Sequence, residues 1–196
     1  MEQPVAFQDL ALSQLSSLYG YARLLSRNDA DAEDLLQESL LKALRAFPSF
    51  KPHLSFKVWM FRIIKNAQID RVRRLRARPL EAPNGAESQA GDPARDVLLY
   101  PVPLNPEEIL LRRVAVEEVR DAIRRLPLVL REVVELREIE GLSYEQIAGV
   151  IGKPVGTVMS RLFRGRNLVR SAIQASARVQ DPAPAVSAGL RKSYGL

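Results

Sequence analysis

The sequence predicts an all-α protein in which two small helical domains are joined by an extended acidic linker. Three observations predict it. Apolar residues recur at helical spacing in both halves of the sequence, no stretch alternates with the period of a strand, and the segment between the halves is rich in proline and acidic residues. The 196 residues, 46% of them hydrophobic, suffice for one ordinary domain or two small ones. We expect domains at 1–78 and 107–177, a linker at 79–106 and a loose tail at 178–196.

Composition excludes several classes of protein. Lys and Arg total 29 against 23 Asp and Glu, and the resulting charge of +6 favours a polyanionic partner. The absence of cysteine excludes a disulfide scaffold, a thiolate zinc site and a cysteine nucleophile. No apolar run approaches the roughly 20 residues of a membrane span, and Glu2 and Asp9 stand where a signal peptide is basic and then apolar. We expect a soluble, cytoplasmic protein without direct membrane insertion.

Three helices are predicted before the linker. The second begins at the short polar acceptors around Asn28 and ends before Pro48, and the third runs from about Ser55 to Arg78. The first half of the third helix is apolar nearly all round, as a central buried helix would be. The predicted apolar stripes are Leu15, Leu18, Tyr19, Ala22 and Leu25 in the first helix and Leu36, Leu40, Ala43, Leu44 and Phe47 in the second.

The third helix combines aromatic, amide and basic side chains on one predicted face. Between Arg62 and Arg78 there are seven basic residues against Asp70 alone. Aromatic rings can stack on bases, amides can contact base edges and cations can contact phosphates, which together suit single-stranded or melted DNA. The alternative is a core tryptophan followed by a solvated basic helix end. The residues at steps of three and four are Trp59, Arg62, Asn66, Asp70 and Arg73.

The linker 79–106 contains six prolines and interrupts any regular element. From Pro79 through Glu108 there are six acidic residues against Arg95 alone, so this segment is acidic within a basic protein.

Four helices are predicted after the linker, and two of them form a helix-turn-helix. The first opens at Asn105 or Pro106, and the others are Leu128 to Glu140, Tyr144 to Ile151 and Val155 to about Ala175. Ser143 and Gln146 form a capping box, Gly152 can end the short helix and Pro154 can open the next. Small Ala148 and inward-pointing Val158 complete the spacing that a helix-turn-helix needs.

The second helix of this motif presents a basic face opposite Val158, Leu162 and Val169. From Lys153 to Arg170 there are five basic residues and no acid, which suits a DNA major groove. The alternative is a solvated basic face on an ordinary amphipathic helix. The candidate DNA-facing residues are Thr157, Ser160, Arg161 and Arg164, flanked by Arg166 and Arg170.

No catalytic or metal-binding constellation is predicted. The acidic cluster Asp29, Asp31, Glu33 and Asp34 lies where a helix start favours negative charge, and no second ligand cluster accompanies it. The single histidine, His53, has no partner set. There is no phosphate-binding glycine loop or nucleophile elbow, and we expect no cofactor and no enzymatic activity.

The whole chain resembles an extracytoplasmic-function (ECF, group 4) RNA polymerase sigma factor of the sigma-70 family. Asp31-Ala-Glu-Asp-Leu-Leu-Gln-Glu38, Phe56-Lys-Val-Trp-Met-Phe-Arg-Ile-Ile-Lys-Asn66 and Asp70-Arg-Val-Arg-Arg74 resemble domain two of that family. Five segments of the second half resemble domain four of the family. They are Leu126-Pro127, Arg131-Glu132, Glu140-Gly-Leu-Ser-Tyr-Glu-Gln-Ile-Ala148, Pro154-Val-Gly-Thr-Val158 and Ser160-Arg-Leu-Phe-Arg164. Both blocks occur in the family's order, across a linker.

The resemblance implies a protein that directs core polymerase to promoters and helps to open them for a stress or signal regulon. Its implied partners are core RNA polymerase (clamp and flap), duplex and single-stranded promoter DNA, and an anti-sigma factor. The linker would thread the polymerase cleft, and the loop from Pro48 to Ser55 would help to hold a flipped base. The implied contacts are Asp34, Gln37, Glu38 and Leu41 for the clamp, Trp59, Arg62, Asn66, Asp70, Arg73 and Arg74 for the minus-10 element, and Ser160, Arg161, Phe163, Arg164 and, on phosphate, Arg166 for the minus-35 element.

Two features depart from that pattern, and one rival function stays open. Met159 stands where the family often has a basic residue, and the tail from Arg178 to Leu196 has no counterpart in the resemblance. The rival is a conventional helix-turn-helix activator or repressor whose first half binds a ligand or dimerises. A nucleic-acid-processing enzyme would need catalytic residues that the sequence does not offer.

Overall fold

The computed structural model describes residues 6–51, 54–77 and 106–180, and within these ranges the chain is helical without a strand. This confirms the all-α prediction. Of the segments singled out above, His53, nearly all of the linker and the tail beyond residue 180 lie outside the described residues. The helices are α1 (Phe7–Leu25), α2 (Asp29–Ala46), α3 (Phe56–Ala77), α4 (Pro106–Arg124), α5 (Leu128–Val134), α6 (Tyr144–Ile151) and α7 (Val155–Gln180), with a 3₁₀ turn at Phe47–Ser49 and a π-helical turn at Glu135–Ile139. No described helix is both long and apolar enough to cross a membrane.

Local capping sets the helix boundaries that the sequence predicted best. The Asn28 side chain accepts a hydrogen bond from the Asp31 amide at 2.8 Å, so α2 starts where the polar cluster lies. At α6 the Gln146 amide donates to Ser143 Oγ, and the Ser143 amide donates to Gln146 Oε1. Gly152 ends α6 at φ 64°, in the left-handed region that favours glycine. The predicted α6 is therefore confirmed at both ends.

Two helices differ from their predicted extents. The predicted helix Leu128 to Glu140 is α-helical only through Val134, and the Glu140 amide then donates to the Glu135 carbonyl at 3.0 Å, which widens the last turn. Helix α7 continues to Gln180, beyond the predicted end near Ala175 and into the segment expected to be a loose tail. Neither difference could be read from the sequence, because no glycine or proline lies between Leu128 and Glu140 or next to Ala175.

The buried faces of α1 and α2 are rotated relative to the predicted stripes. Leu15 and Leu44 are 40% and 52% exposed, so their prediction as stripe residues was wrong, while Tyr21, Leu35 and Ser39 are buried instead. Each of α1, α2 and α3 packs against the other two. A helix with two neighbours buries the sector between them, and this sector need not be centred on the most apolar line.

Helix α7 approaches α5 so closely that one position requires glycine. A Cβ added at Gly165 would lie 2.6 Å from Val134 Cγ2, which is closer than two carbons pack. Val134 is itself buried, and its branched side chain is restricted in a helix. Gly165 thus allows α7 to pack closely against α5.

The N-terminal helices (α1–α3) and the C-terminal helices (α4–α7) pack against each other. Helix α3 lies against α6, and the buried apolar residues of both groups form one continuous cluster. No pattern in the sequence indicated this contact.

Candidate nucleic-acid interface

The first candidate surface is the outer face of α7. Val158 and Leu162 are 0% and 1% exposed and anchor the helix, so the residues between them are turned outward. The structure places all six predicted duplex contacts of this region on α7. Ser160, Phe163, Arg164 and Arg166 are exposed, and Thr157 and Arg161 are half-buried.

Two large apolar side chains stand among these polar groups. Phe163 is 67% exposed and Met159 is 53% exposed. An apolar side chain in a major groove can contact the thymine methyl group. Met159 therefore offers an apolar contact where the family resemblance led us to expect a basic one.

Arg166 already has a partner in the free chain. Its guanidinium is hydrogen-bonded to Glu138, which lies in the π-helical turn, and this bond raises the pKa of Arg166 above its ordinary value. Sequence reasoning missed Glu138, since 28 positions separate the two residues and no periodic pattern connects them. The one local feature that could have indicated Glu138 is its position as an acidic residue just before the predicted helix-turn-helix.

The second candidate surface is the outer face of α3. Arg62, Asn66, Asp70 and Arg73 are all exposed, at steps of three and four residues, so one side of the helix presents them together. This arrangement agrees with the predicted sharing of a face.

Trp59 occupies the N-terminal end of that face and is half-buried. Its ring centroid lies 5.0 Å from that of Phe50, 5.7 Å from that of Phe56 and 6.4 Å from that of Phe47. The alternative, in which Trp59 belongs to the core, is therefore partly right. The aromatic cluster fixes the orientation of the ring, and the remaining surface is open at the edge of the basic face.

Ion pairs join α2 to α3, and one of them links Glu38, a predicted polymerase contact, to Arg74, a predicted DNA contact. Glu38 accepts from Lys42 at 2.8 Å and from Arg74 at 3.2 Å, and Arg71 donates to Asp31 at 2.9 Å. The hydrogen bond from Lys42, with Arg74 nearby, lowers the pKa of Glu38. The groove between the two helices is thus lined by both signs of charge, and Asp34, Gln37 and Leu41 are exposed beside it.

No group of acidic or histidine side chains that could hold a metal ion occurs within 6–51, 54–77 and 106–180. The acidic residues near the start of α2 are used locally instead. Asp29 pairs with Arg23 at 2.8 Å, and Asp31 pairs with Arg71.

Comparison with known proteins assigns a family to each half. Residues 10–78 match the family described as Sigma-70 region 2, and residues 116–169 match Sigma-70 region 4. The chain is 37% identical over 156 residues to the ECF RNA polymerase sigma-E factor of Haemophilus influenzae, with 78% of each chain covered. It is 35% identical over 159 residues to that of Salmonella typhimurium, covering 78% of this chain and 80% of the relative.

One solved structure shares the fold over nearly its whole length. The sigma factor RpoE from Bartonella quintana, in complex with the anti-sigma factor NepR, superposes with a TM-score of 0.63 at 27% identity. The match covers 86% of this chain and 96% of that one.

Proposed function

The chain belongs to the sigma-70 family as an ECF RNA polymerase sigma factor, and from that premise we propose how its surfaces divide promoter recognition. It associates with core RNA polymerase and directs it to promoter DNA, and the conventional helix-turn-helix regulator is not favoured. The observation that carries this conclusion is that matches to region 2 and region 4 occur in one chain, in order, on the two halves that bear the candidate surfaces. It acts by binding, as a non-enzymatic initiation factor in the cytoplasm.

Helix α7 binds the minus-35 element as a duplex. Its exposed Ser160, Phe163 and Arg164 and its half-buried Arg161 enter the major groove, with Thr157 beside them, and Arg166 contacts phosphate. Between Lys153 and Arg170 the chain has no acid, so nothing on this stretch of the helix repels the DNA backbone.

Helix α3 holds the parted strand of the minus-10 element. Bases stack at the exposed edge of Trp59, and Asn66 and Asp70 offer hydrogen bonds to base edges. Arg62, Arg73 and Arg74 contact the phosphates. A base stacked on an aromatic ring contributes about 1–3 kcal/mol, so the fixed tryptophan supplies much of this binding.

Helix α2 docks on the clamp of core polymerase. Asp34, Gln37 and Glu38 supply polar contacts, and Leu41, which is 58% exposed, supplies an apolar one. An anti-sigma factor, the class of partner present in the structure of the Bartonella quintana relative, covers some of these same surfaces.

Transcription in vitro with core polymerase and this chain alone tests the proposal. Run-off product from a matching promoter is expected only when both are present, whereas a conventional regulator would yield none. Leu41→Glu should abolish association with core polymerase in a pull-down. The control Leu12→Glu changes an exposed leucine of α1, 68% exposed and outside the proposed contact, and should retain association. Equal retention by both variants would contradict docking through α2.

A further inference from the structure

The outer face of α7 carries two parallel rows of side chains. Successive residues of an α-helix lie about 100° apart around its axis, so residues four positions apart stand nearly above one another. One row is apolar and contains Met159 and Phe163, and the other is polar and contains Ser160 and Arg164. All four residues are exposed. A ligand that covers this face therefore meets an apolar row beside a polar one.

The apolar row differs in burial from the residues that anchor α7. Val158 and Leu162 are 0% and 1% exposed, whereas Met159 and Phe163 are 53% and 67% exposed. Apolar surface that stays in water after folding gains free energy when a partner covers it. The apolar row is thus available to a partner, and its removal should cost the folded chain little.

The polar row and its surroundings favour duplex DNA as that partner. Between Lys153 and Arg170 the sequence has five basic residues and no acid, which suits a polyanion. Ser160 Oγ donates to the Thr157 carbonyl at 3.0 Å, so its oxygen remains able to accept a hydrogen bond from a base amino group. Arg164 supplies donors in the same row. Hydrogen bonds to base edges are therefore confined to one side of this face.

The apolar row suits one feature of the major groove. Thymine is the base that presents a methyl group there, at C5, beside its hydrogen-bonding groups. Methionine is unbranched and polarizable, so it can adapt its shape to such a group. A guanine edge presents two acceptors, N7 and O6, which a thioether side chain cannot satisfy, and covering them would cost free energy. A base pair opposite Met159 is therefore expected to favour thymine.

We propose that Met159 contacts the 5-methyl group of a thymine in the minus-35 duplex, and that this contact makes thymine the preferred base at that position. The inference rests on the proposed function, in which α7 enters the major groove, and adds a base preference to it. Phe163, one turn further along, extends the same apolar surface. The preference belongs to this chain, because position 159 departs from the basic residue that the family resemblance led us to expect.

Replacing thymine by deoxyuridine removes the methyl group alone and tests the contact directly. Holoenzyme is assembled from core polymerase and the full chain, and a promoter duplex is enriched with it from a library randomised across the minus-35 element. Each thymine of the enriched element is then replaced singly by deoxyuridine, and affinity is measured by competition with the unmodified duplex. At one position the replacement should weaken binding about threefold to fourfold, the contribution of one buried methyl group.

Variants of Met159 assign that loss to its side chain. Met159→Gln keeps the length of the side chain but makes its end polar, so it should bind the thymine and deoxyuridine duplexes equally. Met159→Leu stays apolar and should retain the preference for thymine. Because position 159 is exposed, circular dichroism should show unchanged helix content in both variants. An unchanged preference in Met159→Gln would overturn the proposal.

Two controls separate the methyl contact from general effects on binding. Arg164→Ala, in the polar row, should weaken binding to both duplexes alike and keep their ratio. Val129→Ala changes an apolar residue of α5 that is 52% exposed, and it should alter neither the affinity nor the ratio. Loss of the preference in either control would overturn the assignment to Met159.

The same experiment distinguishes failure of this inference from failure of the proposed function. If holoenzyme enriches no duplex at all, the chain does not direct polymerase to a minus-35 element, and the proposed function is refuted. If a duplex is enriched but no thymine in it can be distinguished from deoxyuridine, promoter binding stands and the methyl contact alone is overturned.

Discussion

Arg166 donates from both Nε and Nη2 to one oxygen of Glu138, at 2.9 and 2.6 Å. The two side chains are 46% and 44% exposed, so solvent screens the pair and its contribution to stability is small. For a proposed phosphate contact the pairing matters more, because the carboxylate partly neutralises the guanidinium and competes with the DNA backbone.

Glu138→Gln should therefore strengthen binding to minus-35 duplex. The expected gain is up to about fivefold, the range of exposed ion pairs. Fluorescence anisotropy with a labelled duplex would measure it. The control is Arg166→Ala, in which the Glu138 substitution should have little further effect. An equal gain in both backgrounds would show that Glu138 acts only through general charge.

The two DNA surfaces should separate by mutation. Arg164→Ala should weaken binding to duplex minus-35 DNA by about 10-fold to 100-fold, the value of one good major-groove contact. Asn66→Ala should leave that binding intact and impair selection of single-stranded minus-10 DNA in the holoenzyme. Arg125→Ala, an exposed arginine outside α7, serves as the control and should change neither. Equal losses in both assays for both variants would count against the division of labour.

Gly165 should not tolerate a side chain. Gly165→Ala places a methyl group against Val134, and overpacking of about 1–3 kcal/mol should exceed the gain of about 0.5–1 kcal/mol from helix propensity. Gly149→Ala is the matched control, since Gly149 is also helical and nothing lies within 4 Å of an added Cβ. Urea unfolding should show a loss of stability for the first variant and a neutral or stabilising effect for the second. A gain in both would mean that α5 and α7 can move apart.

Tyr21 should titrate later than an ordinary tyrosine. Burial first, and then the neighbouring Glu132 carboxylate, raise the pKa of its hydroxyl well above 10.0. The pKa of Tyr21 is higher in the folded than in the unfolded chain, so the neutral hydroxyl contributes to the free energy of unfolding. This contribution is complete below about pH 10 and is lost as the pH rises through the folded pKa. Absorbance titration of tyrosinate should show a late phase that Tyr21→Phe removes and that Glu132→Gln shifts to lower pH. Curves for the wild type and Tyr21→Phe that coincide after scaling for tyrosine number would refute it.

The helix-turn-helix could be predicted from sequence because its determinants are local. Ser143 and Gln146 satisfy the free backbone amides at the start of α6 by hydrogen bonds, and Gly152 ends α6 by its left-handed backbone conformation. All of these residues lie within a few positions of one another. The exposed face of α7 followed in the same way, since Val158 and Leu162 mark its buried side by spacing alone.

Other features depended on where the helices cross. Leu44 belongs to an apolar stripe by periodicity, yet it is 52% exposed, whereas Leu35 and Ser39 are buried in α2, which packs against both α1 and α3. The need for glycine at position 165 likewise arises from Val134, 31 residues earlier in the chain, and no local pattern announces it.

The amino-acid sequence by itself determined the all-α class, the ends of α2 and α6, and the residue types on the proposed nucleic-acid surfaces, since each follows from interactions within one or two helical turns. Only the tertiary structure decided that Lys65, which belongs to the basic stretch between Arg62 and Arg78, is paired with Glu132, and that Lys57 is paired with Glu140. A charged side chain has no periodic signature of its distant partner. Its pairing is set by which helix faces the fold brings within hydrogen-bonding distance, where burial makes an unpaired charge costly.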